Sequence, residues 1–186
     1  MKSLNNGKRN MVMKIASLKL STEEGKPSFH DIRVDYDGDI EYLNEQGQLH
    51  RLDGPAVEKA DGTKGWYING KRHRLDGPAV EWANGVKEWY VNNKCHRVDG
   101  PAVERADGVK MWWVNNKLHR VDGPAIIWND GTKEWWVNNE HHRLDGPAIE
   151  WANGKKEWYI NGKRIGTSVR GFTDEKFEQW KKEHGL

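Results

Sequence analysis

Cysteine is nearly absent. The lone Cys95 excludes an internal disulfide framework and a Cys-based zinc site. No Asn-x-Ser/Thr sequon occurs. Near the start, the apolar run Met11-Val12-Met13 is closed at once by Lys14, too short for a membrane helix or a secretory signal. A cytoplasmic chain without membrane insertion is the expectation. Leu, Ile, Val and Phe together supply only 35 of 186 residues. So low a share indicates disorder when net charge is large, but here it is +2. That balance also argues against a nucleic-acid binder, which carries a basic excess. What replaces the aliphatics is tryptophan, with 11 residues. A folded chain with an aromatic core follows.

The chain is a repeat. His-Arg-(Leu/Val)-Asp-Gly-Pro-Ala recurs at 50–56, 73–79, 96–102, 119–125 and 142–148, always 23 residues apart. Five units span His50 to Arg164, after a degraded half-unit over 36–50. Within each unit, two strand-like runs flank Asp61-Gly62, Asn84-Gly85, Asp107-Gly108, Asp130-Gly131 or Asn153-Gly154. Asp-Gly and Asn-Gly predict a two-residue type I′ turn with positive φ at both positions. The predicted fold is all-β, an elongated antiparallel hairpin array of about ten strands. At two strands per unit, each hairpin adds about 9.6 Å. Residues 36–166 form the array. Residues 1–35 are an N-terminal cap, with 1–10 mobile and strand-like alternation over 13–20 and 31–35. Residues 167–186 are a capping helix with Thr173 as N-cap and Phe172 and Phe177 as a hydrophobic staple.

The two-residue turn sets a register in which Val57 opposes Trp66 and Glu58 opposes Gly65. One face then carries Trp66, Trp89, Trp112, Trp135 and Trp158 with flanking Val and Ile columns, and is the expected core. Leu52, Leu75, Val98, Val121 and Leu144 fold back onto it from the loops. Lys87 lies opposite Trp82, and Lys156 opposite Trp151, for cation–π contact. On the other face Glu81 opposes Glu88 and Glu150 opposes Glu157, beside Tyr67, Tyr90, Trp113, Trp136 and Tyr159. With Glu134, these ten residues make an acidic–aromatic surface suited to a cationic partner such as a basic peptide. The alternative is a solvated face whose acids are neutralised by Lys and Arg.

The unit resembles the MORN repeat, and its bacterial variant in particular, through Asn-Gly-Lys-Arg-His at 69–73 and the Asp-Gly or Asn-Gly turn. It departs from that family in having Arg74, Arg97, Arg120 and Arg143 after the His, and Trp-Tyr or Trp-Trp pairs in place of a spaced Tyr-x-Gly-x-Trp. The resemblance implies an elongated single-layer sheet for protein or lipid contact, without catalysis. The Asp-Gly-Pro-Ala repeats are also similar to repeats in proteins of large bacteriophages, which implies a phage origin.

Catalytic readings are weak. His50, His73, His96, His119 and His142 recur too far apart to share one zinc ion, so each is expected to pin its own loop. His-Arg-x-Asp matches a kinase catalytic loop only superficially, since it recurs five times without a glycine-rich loop. Arg51 and its equivalents are expected to pair with Asp or to stack on Trp. Cys95, at a position that varies between units, is expected to face solvent. His30-Asp31 and Asp35-Tyr36-Asp37 are the sole candidates for a unique catalytic constellation. The expectation is therefore a non-catalytic binding or scaffold protein, no cofactor or metal, and a protein or peptide partner. The alternative is a binder of a nucleotide or cationic small ligand, to which Trp-Tyr hairpins, similar to choline-binding repeats, would also suit.

Overall fold

The computed structural model describes residues 29–186 and the backbone of Met13–Ile15. The expected mobility of 1–10 and the remainder of the 13–20 run lie outside the described residues. Among the described residues one antiparallel sheet of 14 strands runs in chain order. Met13–Ile15 pairs with Asp31–Val34, which pairs with Ile40–Leu43, the strand before the first unit. Units one to four each add two short strands, as in Val57–Glu58 and Lys64–Gly65. The array and its C-terminal helix are as the repeat implies.

The turn is not. Val57 pairs with Gly65 and Glu58 with Lys64. Lys59 N–H donates to the Thr63 carbonyl at 2.8 Å, and Gly62 N–H to the Lys59 carbonyl at 2.9 Å. The loop is thus Ala60-Asp61-Gly62, three residues with only Gly62 at positive φ. This is the turn in which a left-handed glycine forms a bulge. Asp61 Oδ1 accepts from Thr63 N–H at 2.7 Å, closing the turn from its side chain. The three-residue loop moves the register by one residue, which exchanges the faces.

A second turn holds the type I′ geometry. After Trp66 the chain leaves the long sheet and forms a small hairpin, Tyr67–Ile68 with Lys71–Arg72, across Asn69-Gly70. Asn69 and Gly70 both have positive φ, as do Asn92-Asn93, Asn115-Asn116, Asn138-Asn139 and Asn161-Gly162. Trp66 is the corner: its N–H donates to Ala79 O of the next unit at 2.8 Å, and its carbonyl accepts from His73 N–H at 3.0 Å. The small hairpins are stitched to one another by asparagine. Asn93, Asn116 and Asn139 Oδ1 each accept from the preceding unit's Arg72, Cys95 and Leu118 N–H at 2.7 Å.

In the fifth unit the corner is absorbed by a bulge at Trp158/Tyr159, and Lys156–Ile160 pairs continuously with Lys163–Thr167. Helix Asp174–Glu183 follows, with Thr173 Oγ1 accepting from Lys176 N–H. Phe172, Phe177 and Trp180 pack with Trp158, Ile160 and Ile165. Here alone is the Trp column fully buried. Trp158 is 1% exposed, whereas Trp66, Trp89, Trp112 and Trp135 are half-buried. That corrects the expectation of a uniformly buried column. The first four lie beneath an arginine, and the fifth beneath the cap.

Candidate functional site

The His-Arg-x-Asp-Gly-Pro-Ala loop is built around its arginine. Arg Nε of Arg51, Arg74, Arg97, Arg120 and Arg143 donates to Oδ1 of the Asp two residues on, at 2.8–2.9 Å. Nη1 donates to the Pro carbonyl at 3.2–3.3 Å. In four units Nη1 also meets a glutamate, as Arg51 does Glu58 at 2.8 Å. The flat guanidinium covers the aromatic ring of the preceding unit. Arg74, Arg97, Arg120 and Arg143 lie 4.0–4.2 Å over Trp66, Trp89, Trp112 and Trp135. Arg51 covers Tyr42 of the half-unit in the same way. Both roles expected of the arginine are filled at once.

The other loop residues follow. A Cβ on Gly77 would stand 2.8 Å from Arg74 Cζ, so a larger residue there would displace the guanidinium from its place. Ala56, Ala79, Ala102, Ala125 and Ala148 are fully buried. Each His Nδ1 accepts from the N–H of the asparagine 19 residues on, at 3.1–3.3 Å. The imidazole therefore ties the loop to the turn of its own unit's small hairpin.

One motif position has no such internal use. Leu52, Leu75, Val98, Val121 and Leu144 are 64%, 80%, 83%, 82% and 48% exposed. They do not fold back onto the core, contrary to expectation. They form a row of aliphatic tips, one per unit. Between the last four loops lie notches of about 690, 620 and 640 Å³. The last is lined by Val121, Leu144, Trp135 and Val137 together with Arg120 and Arg143.

The acidic residues are placed otherwise than expected. No Glu pair faces across the sheet at the predicted positions. Glu81 opposes Lys87 and Lys64, and Glu150 opposes Lys156 and Lys133. The column Glu58, Lys64, Glu81, Lys87, Glu104, Lys110 alternates in sign from strand to strand, and such opposed pairs stabilise a sheet. Glu81 and Glu150 bond Arg74 and Arg143 on the loop side. Glu88, Glu134 and Glu157 pair instead with Val80, Ile126 and Ile149, on the opposite face. Tyr67, Tyr90, Trp113, Trp136 and Tyr159 belong to that second face. The predicted ten residues are thus divided two to eight. Lys87 and Lys156 face glutamates rather than Trp82 and Trp151; the lysine over Trp151 is Lys155, at 5.4 Å.

On the second face Glu134 and Glu157 have internal partners. Glu134 accepts from Trp128 Nε1 at 2.7 Å and Trp136 Nε1 at 2.9 Å, and meets His141 Nε2 at 2.8 Å. Burial pushes its carboxyl upward, but these hydrogen bonds outweigh it and hold it below the usual range. Glu157 accepts from Tyr159 Oη and pairs with Lys155. The remaining units fill the same place differently. Tyr67 lies over Gly65, where a Cβ would meet its ring at 2.7 Å. Met111 and Leu118 flank Trp113, whose buried Nε1 has no partner among the described residues. Cys95 is buried beside Glu88, not exposed; burial first, then that carboxylate, push its thiol up to about 12. A thiol so held is a poor nucleophile. Asp35 Oδ1 accepts from Asp37 and Asp39 N–H, closing a turn.

No helix among the described residues is long and apolar enough to cross a membrane. No protein-family model and no curated protein matches the chain.

Proposed function

We propose that the chain is a non-catalytic binding or scaffold module whose contact surface is the row of His-Arg loops. The observation that carries this is the exposed aliphatic of the motif. His, Arg, Asp, Gly and Ala are each explained by an internal contact or by close packing. Leu or Val, held aliphatic in five copies and mostly exposed, is not. A repeat array presents these five side chains as one extended line, the kind of surface through which such arrays make contact. The MORN-like resemblance agrees with a contact role, and a phage origin is part of the same reading. The acidic–aromatic residues are the weaker contact candidate, because Glu81, Glu134, Glu150 and Glu157 already have partners within the chain.

Affinity capture from extract of the source cells tests the proposal. Compared with wild type are the loop variant Leu75→Ser/Val98→Ser/Val121→Ser and the face variant Glu88→Gln/Glu134→Gln. A protein held by wild type and the face variant but lost by the loop variant is the expected result. Equal capture by the loop variant overturns the assignment of the surface, and loss by the face variant alone moves it to the acidic–aromatic face.

A further inference from the structure

Resting on that reading, we infer that the loop row takes an extended basic segment in polyproline II conformation, with an aliphatic or proline side chain at every third residue. The first argument is spacing. Equivalent loops are two strands apart, about 9.6 Å. A polyproline II turn has three residues and advances about 9.3 Å, so side chains of one edge enter successive notches almost in step. A β-strand covers that distance in three residues too, but its side chains alternate and every second one points away. An α-helix at about 1.5 Å per residue needs more than six residues, which is not a whole number of turns.

The second argument is chemical. Each notch is lined by two loop aliphatics, a valine and part of an indole together with the arginines and aspartates of both loops, as with Val121, Leu144, Val137 and Trp135 beside Arg120 and Arg143. Preformed polyproline segments dock in aromatic-lined grooves of this character. Beside each aliphatic stands a carboxylate: Asp76, Asp99, Asp122 and Asp145 follow Leu75, Val98, Val121 and Leu144. Their side chains are largely exposed, and one oxygen of each is held by arginine. These exposed carboxylates stand next in sequence to the aliphatic tips, so Lys or Arg between the apolar residues of the segment can pair with them.

The test is fluorescence anisotropy on the full chain with a labelled peptide of repeated Leu-Pro-Arg triplets. Two controls are a peptide of the same composition with Leu unevenly spaced, and one with Glu for Arg. The triplet peptide is expected to bind, more weakly as salt rises, and about ten-fold more tightly than either control. Val98→Ser/Val121→Ser, checked as folded by circular dichroism, is expected to lose that preference. Equal binding of the uneven peptide, unchanged binding by the variant, or no binding of the triplet peptide overturns the inference. If the triplet peptide fails while loop-dependent protein capture persists, the conformation assigned to the segment is wrong and the binding reading stands. Loss of loop-dependent capture rejects the broader reading itself.

Discussion

At Arg97 a single side chain contacts Asp99, Pro101, Glu104 and the face of Trp89. Lysine keeps the charge but not the flat fork. Arg97→Lys is therefore expected to cost about 1–3 kcal/mol in urea unfolding, while its neighbour Val98→Ser stays within about 0.5 kcal/mol. A large loss for Val98→Ser would show that the aliphatic row serves the fold. The aspartates add a pH dependence. Hydrogen bonding to arginine, then its charge, hold Asp76, Asp99 and Asp122 below their ordinary value. Asp145 is lowered by the same bond to Arg143. A lowered folded value gives stability that is complete above the unfolded pKa, about 3.9 for Asp, and is lost as pH falls through the folded value. Stability measured by denaturant titration is expected to be level near neutrality and to decline below about pH 4. Asp76→Asn/Asp99→Asn/Asp122→Asn is expected to flatten that decline.

Among the elements, the small hairpins depend on their turn asparagines. Asn116 has φ of 64°, where most residues are strained, and its Oδ1 accepts from Cys95 N–H. Asn116→Gly relieves the strain and loses the bond, whereas Asn116→Ala suffers on both counts. Thermal melts are expected to rank wild type above Gly and Gly above Ala, with the Ala variant down by about 1–3 kcal/mol. Equal Gly and Ala variants would mean that the bond alone matters. The two turns of a unit account for the difference between the expected and the observed register. Asp-Gly suits a two-residue type I′ turn, but it also ends a three-residue loop. The twin left-handed positions are instead the Asn-Gly and Asn-Asn pairs at the tips of the small hairpins.

On the scale of the molecule, every aromatic of the column needs a cover, and each unit supplies one to the unit before it. The fifth unit has no successor, so Phe172 and Phe177 take the place of an arginine over Trp158. Phe177→Ala is expected to cost about 3–5 kcal/mol. Nearest-neighbour coupling concentrates the damage at the near end. Hydrogen exchange should quicken first in 142–167 and last in the first unit. Uniform acceleration would show that the array opens as one block.

The sequence by itself determined the 23-residue period, the all-β array, the capping helix and the roles of arginine and histidine in the loop. Each rests on local chemistry repeated at fixed spacing, which needs no knowledge of distant contacts. Only the tertiary structure decided the register and therefore the faces, because one extra turn residue flips the side chains of one strand relative to those of its partner. It divided Glu81 and Glu150 from Glu88, Glu134 and Glu157, and gave most of these acids internal partners. It also buried Cys95 beneath its hairpin and left Leu75, Val98 and Val121 in solvent. An aliphatic in a motif reads as core, and whether it turns inward or outward is set by the arginine stack that already fills the space beneath the loop.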